Sequence, residues 1–61
     1  MKMWIARDKN GILVLHESEP YCRYNTWHNG NQEFYLDNDW FPEVTFENSP
    51  RQIELKLIKE E

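Results

Sequence analysis

The sequence is poor in the devices that usually hold a very small domain together. Among 61 residues there is one cysteine, Cys22, so no disulfide can close within the chain. An unpaired thiol fits a reducing compartment better than a secreted one. The two glycines, Gly11 and Gly30, exclude a glycine-rich loop of the kind that cradles phosphate. No stretch approaches the roughly 18 apolar residues that a membrane span requires. The opening segment Met1-Lys2-Met3-Trp4-Ile5-Ala6 meets Arg7 and Asp8 after four apolar residues, too few for an export signal. The expectation is one domain over residues 1–61, soluble and cytoplasmic, held by packing alone or by self-association.

Aromatic residues are what the chain has in plenty, at 15% of its length. Each large ring buries roughly 150–250 Å², which offsets the missing staples. Charge is also present, but unevenly placed. Residues 1–31 carry Lys2, Arg7, Lys9 and Arg23 against Asp8, Glu17 and Glu19. Residues 32–61 carry three cations against eight carboxylates, so that half nets −5 of the chain's overall −4. An acidic half repels phosphate backbones, and no nucleic-acid partner is expected.

The organising stretch is Trp4 to Leu15, two apolar runs about Asp8-Lys9-Asn10-Gly11. Asp at the first position and Gly at the fourth suit a type I turn that ends left-handed. Lys9-Asn10-Gly11 is then a three-residue loop closing on a bulge, which pairs Asp8 with Ile12 and Arg7 with Leu13. That register puts Ile5, Leu13 and Leu15 on one face and Trp4, Ala6, Ile12 and Val14 on the other. A two-residue Asn10-Gly11 turn is the rival, and it slips the register by one. Both faces are largely apolar on either reading, so more chain must cover them.

After the connector His16 to Pro20, Tyr21 to Trp27 is the next candidate strand. Asn29-Gly30 is a strong signal for a type I′ hairpin turn, pairing Trp27 with Gln32, Tyr24 with Tyr35 and Arg23 with Leu36. Trp27, Phe34 and Leu36 would then face inward. Asp37 to Glu43 reads as a turn or a single 3₁₀ turn, with Pro42 pushing Phe41 out of the helical region. Val44-Thr45-Phe46 reads as a short strand ended by Glu47-Asn48-Ser49-Pro50. Beyond that, Ile53, Leu55 and Leu57 alternate with Glu54 and Lys56 as a half-buried strand does. Ser49-Pro50-Arg51-Gln52 also resembles a helix capping box, so residues 50–59 stay open between strand and helix. Strand is preferred because three alternating apolar residues would close the open side of a small sheet. The expected fold is all-β, a small antiparallel meander or SH3-like open barrel of four to five strands. The alternative is α+β with a C-terminal helix after Ser49.

Trp4-Ile5-Ala6-Arg7-Asp8-Lys9-Asn10-Gly11 and Phe41-Pro42-Glu43-Val44-Thr45-Phe46-Glu47-Asn48-Ser49-Pro50 resemble stretches of short uncharacterised proteins from gut bacteria and their phages or mobile elements. The resemblance covers eighteen residues, about a third of the chain, and leaves out Tyr21 to Asp39. It implies a setting, an accessory role encoded by host or element, and carries no catalytic residues.

Residue by residue, the chemistry needed for catalysis is missing. Cys22, His16 and His28 show neither a Cys-x-x-Cys nor a His-x₃₋₅-His spacing, and no metal or other cofactor is expected. On one continuous strand, Cys22 and His28 would lie about 20 Å apart. Ser18 and Ser49 sit in connectors without the glycine-flanked elbow of a nucleophile. Asp37, Asp39 and Glu43 fail as a calcium loop, because Phe41 and Pro42 stand where a ligand and the turn glycine belong. The chain is therefore read as no enzyme.

Surface recognition remains. Trp40 and Phe41, flanked by Asp39, Glu43 and Glu47, form a candidate aromatic-acidic binding patch; the competing reading makes both rings caps on the open end of the core. The first function class is a small non-catalytic module that binds another protein. The second is a structural subunit that pairs with its own copy through the apolar hairpin. A weaker third is an acidic inhibitor or nucleic-acid mimic. The partner is not named by the residues.

Overall fold

Two hairpins of unequal standing make the molecule. The computed structural model describes residues 2–54. Strand β1 (Lys2–Arg7) runs antiparallel to β2 (Leu13–His16), with Arg7 opposite Leu13 and Ile5 opposite Leu15. The three-residue loop is as the sequence reads it: Gly11 donates to the Asp8 carbonyl at 2.9 Å, and Asp8 donates to that of Ile12 at 2.8 Å. Gly11 has φ +98°, which a side chain would strain even though open space surrounds it.

Strand β3 (Tyr21–Arg23) pairs with β4 (Thr26–His28) in a second, two-stranded sheet. Strand β5 (Glu33–Tyr35) adds to β2, and β6 (Arg51–Glu54) adds to β1. The main sheet runs β5-β2-β1-β6, antiparallel throughout. The fold is all-β and built of antiparallel sheets. Among the described residues it has six strands and no helix, one strand more than the upper expectation. No helix of the described residues is long and apolar enough to cross a membrane.

Odd-numbered residues of β1 and their partners face one way. Ile5 and Leu13 join Val44 there in the core, with Leu15, Leu36 and Ile53 packed against them. Fully burying a side chain such as Leu13 contributes roughly 1.5–3 kcal/mol. The even-numbered face holds Ala6, Val14 and His16, all buried. The β3–β4 hairpin ties down over this second face. Trp27 N–H donates to the Asp8 carboxylate at 2.9 Å, and Lys9 N–H donates to the Asn25 carbonyl at 3.1 Å. The Phe46 ring lies 6.2 Å from that of Trp27 and links the long loop to the hairpin.

Two expectations are corrected. The type I′ turn does not fall at Asn29-Gly30: the two residues with positive φ are Tyr24 and Asn25, at 54° and 61°, and Arg23 pairs with Thr26. Asn29 is engaged elsewhere, its Oδ1 accepting the Asn31 N–H at 2.6 Å and its amide nitrogen facing His16 Nδ1. Residues 33–35 therefore leave the hairpin and take the open edge of β2, so Tyr24 never meets Tyr35 and Val14 does. Phe34 stands 47% exposed instead of facing inward. Cys22 pairs with Trp27, and His28 packs its ring 5.8 Å from Tyr21.

Val44-Thr45-Phe46 is the second correction, for it is no strand. Thr45 and Asn48 close a turn on each other instead, Thr45 N–H to Asn48 Oδ1 at 2.8 Å and Asn48 N–H to Thr45 Oγ1 at 3.2 Å. The alternative of a helix after Ser49 is not taken up among the described residues, where Ser49 caps none. Its hydroxyl donates to the Thr45 carbonyl at 2.6 Å and accepts the Arg7 N–H at 2.9 Å. Arg51–Glu54 is strand, as preferred; Leu55 and Leu57 lie outside the described residues.

A candidate interaction surface built on Arg7

The segment from Asp37 to Ser49 contains no regular element, yet side chains fasten its backbone throughout. Asp37 Oδ1 accepts the Asp39 N–H at 2.9 Å, and the Asp37 carbonyl accepts that of Trp40 at 3.0 Å. Short polar side chains of this kind favour such turns because they bond to their own backbone. Val44 N–H closes on the Phe41 carbonyl at 2.9 Å, with Phe41 held at φ 50°. Asn38 reaches the main sheet, its Oδ1 accepting the Leu13 N–H at 3.2 Å.

Arg7 is the centre of this arrangement. Its Nη1 donates to the carbonyls of Gly11 at 2.8 Å and Asn38 at 2.9 Å. Its Nη2 donates to those of Trp40 at 2.8 Å and Phe41 at 3.1 Å, and its Nε donates to that of Val44. A guanidinium has five N–H donors in a rigid planar fork, and all of them are used on neutral carbonyl oxygens. Among the described residues no carboxylate pairs with it; the one ion-pair contact there is His16 with Glu33. Arg7 therefore spends its charge on shaping the loop that carries Trp40 and Phe41.

Those two rings are surface groups in the described structure, 53% and 47% exposed. They meet edge to face, with centroids 6.5 Å apart at 88°. Phe41 also forms one wall of an open cleft of about 290 Å³, which it lines with Glu43, Ile5, Val44, Arg51 and Ile53. Asp39 and Glu43 are exposed in the same loop, and Glu47 is exposed in the turn that follows. Asn48 joins the two parts by donating its amide to the Glu43 carbonyl at 2.8 Å. The five residues singled out in the sequence thus belong to one side-chain-bonded segment.

Compared with known proteins, the chain matches no family model, no curated protein and no solved structure. Its own geometry is therefore the ground for any functional reading. Among the described residues no group of three or more His, Cys, Asp or Glu is placed to hold a metal.

Sequence reasoning missed Arg7. The signal was available: the three-residue loop puts Arg7 on the face of Ile5, Leu13 and Leu15, where an unpaired cation needs acceptors. Other exposed rings lie outside that segment. Tyr21, Tyr24 and Tyr35 are all exposed, and the Arg23 guanidinium lies 5.3 Å from the Tyr24 ring centre.

Proposed function

We propose that this chain is a non-catalytic protein-interaction module whose contact is centred on Trp40 and Phe41, with a basic partner surface. The observation that supports the reading most is the pinning of the loop by Arg7. Binding usually costs roughly 0.5–1.5 kcal/mol for each side chain that must be ordered. Here the backbone under both rings is held before any partner arrives. A few buried aromatic anchors dominate most interfaces, and exposed Trp is among the commonest of them. Asp37, Asp39, Glu43 and Glu47 flank the rings in sequence, are exposed, and make no ion pair among the described residues. Such charges mainly speed encounter with a basic surface and make it salt-sensitive. An accessory role encoded by a phage or mobile element belongs to the same proposal and rests on the resemblance of the two sequence stretches. The reading as a self-associating subunit has less support. Of the hairpin faces that motivated it, Ile5, Ala6, Leu13 and Val14 are buried within the chain, and Trp4, Ile12 and Leu15 are half-buried.

The test is a matched pair of proteins, parent and Trp40→Ala, used first to recover a partner and then titrated against it by calorimetry at two salt concentrations. We expect Trp40→Ala to melt with the parent and to bind at least about fivefold more weakly, a loss of about 1 kcal/mol. Glu47→Gln should slow association and leave dissociation nearly unchanged. A Trp40→Ala protein that is folded and binds with parental affinity refutes the contact, and one that unfolds returns the ring to the core.

A further inference from the structure

His16 ends β2 with no exposed surface at all. Its Nδ1 faces the side-chain amide of Asn29 and lies 3.8 Å from Glu33 Oε2. The orientation of Asn29 is fixed by its other end, because Oδ1 accepts the Asn31 N–H and a bond from the Ser18 hydroxyl at 3.3 Å. Its NH₂ is therefore what points at His16. A nitrogen that accepts from an amide NH₂ carries no proton, so the imidazole proton sits on Nε2. Nε2 is buried and meets no acceptor among the described residues. Two partners thus compete for one ring nitrogen, a donor in Asn29 and an acceptor in Glu33, and protonation decides between them.

We propose that His16 is a proton-driven latch: when Nδ1 gains a proton it exchanges the Asn29 amide for the Glu33 carboxylate and releases the cluster that ties the β3–β4 hairpin to the main sheet. A protonated Nδ1 and the Asn29 NH₂ are both donors, so they repel. Asn29 must then turn over or withdraw, and either movement disturbs the bond it accepts from Asn31. Asn31 in turn donates its side-chain amide to Ser18 Oγ at 2.9 Å, so the cluster loosens together. Asn29 and Asn31 connect β4 to β5 and Ser18 connects β2 to β3, so both links of the hairpin to the main sheet pass through the cluster, and its release is a movement of the hairpin against the sheet. Burial holds His16 below its ordinary range; Glu33 on β5 and Asp8 at the end of β1 pull the other way, and His28 on β4 adds to the lowering. The latch is therefore closed at neutral pH and opens on acidification below the ordinary imidazole range.

Nuclear magnetic resonance of the full chain tests this directly. The nitrogen shifts of His16 should show the Nε2–H tautomer at pH 7.5. On acidification the protection factor of the Asn31 backbone amide, its exchange measured against the intrinsic rate at the same pH, should fall at least about tenfold across the pH range in which His16 titrates. Amides in the β1–β2 ladder should not follow it. In Glu33→Gln the shared midpoint should move to lower pH, because an attraction for the cation is lost. In Asn29→Ala the Asn31 amide should be unprotected at every pH. An Nδ1–H tautomer at pH 7.5 overturns the proposal, as does an Asn31 amide that ignores the His16 titration. An Asn31 response at the same midpoint in a folded His16→Gln protein also overturns it; if that variant does not fold, the Glu33→Gln midpoint decides alone.

Discussion

Replacing Arg7 with Met preserves much of the length of the side chain and deletes all five donors. The carbonyls of Asn38, Trp40 and Phe41 lie at the surface, so water can replace the guanidinium there at little cost. Those of Val44 and Gly11 are half-buried, and each loses a bond to a charged group. Such a bond contributes roughly 1.5–3 kcal/mol net. Taking the low end for both, because the site is partly wet, Arg7→Met should destabilise the protein by about 3 kcal/mol. For a domain of this size 1 kcal/mol moves the melting temperature by roughly 4–8 °C. The expected fall in Tm is thus on the order of 15 °C. Arg7→Lys keeps the charge but offers at most three donors, without the planar fork, and should fall between the two. Thermal unfolding gives the first readout, and hydrogen exchange gives the second. The Trp40 and Val44 amides, bonded to the Asp37 and Phe41 carbonyls, should lose protection ahead of the β1–β2 ladder. If Arg7→Met melts within about 3 °C of the parent and both amides stay protected, Arg7 does not hold the loop.

Leu13→Ala should cost roughly 2–5 kcal/mol, since Leu13 has no exposed surface and lies in the central cluster with Ile5 and Val44; a melting temperature within a few degrees of the parent would contradict that placement. Tyr24→Asn should raise stability by roughly 0.5–1 kcal/mol, because Tyr24 is 85% exposed yet held at φ 54°, a conformation that Asn adopts more readily. An unchanged or lower Tm would show that the Arg23–Tyr24 contact outweighs the backbone strain. Global stability should also depend on pH through His16. Its folded-state pKa is lowered, so the unfolded chain binds the proton more tightly. Stability is then fully present above about 6.5 and falls as pH drops from there through the folded value, at no more than about 1.4 kcal/mol per pH unit for one proton. His16→Gln should flatten the profile of Tm against pH in that window.

The first hairpin was legible because its turn chemistry and its apolar runs agree. Asp8 and Gly11 each stand where a type I turn with a left-handed close needs them, and only one register suits both. The second hairpin was not legible, because its turn is made by residues that do not advertise it. Tyr24 is a poor left-handed residue, while Asn29-Gly30 offered a better local sequence and was used for a side-chain network instead. Local propensity lost there to two non-local gains, the open edge of β2 and the His16 ring. The alternation of Ile53 with Glu54 marked β6, since β1 had a free edge of matching pattern. The aromatic-acidic segment was legible by composition alone. Its pinning was not, because bonds from one guanidinium to five carbonyls leave no mark on the carbonyl-bearing residues.

A chain without disulfide or helix among its described residues must cover two apolar hairpin faces, and it uses a different device on each. The odd-numbered face is closed by Leu36, carried at the end of β5, and by Val44, brought there by a loop that cannot make a ladder and is bonded by Arg7, Asn38 and Asn48 instead. The even-numbered face is closed by a short hairpin that bonds to the sheet through Asp8, Lys9 and Asn29. Both covers are thus fastened by a few polar contacts near one end of the β1–β2 hairpin or the other. Covers of that kind open locally at lower free energy than the ladder beneath them. The two proposed sites fall on these covers and not on the central strands. A contact surface at Trp40 and Phe41 gains from a stiff guanidinium clamp, whereas a latch at His16 needs a cluster that lets go. The same shortage of core that leaves the covers dependent on polar contacts is what makes one of them sensitive to a single proton.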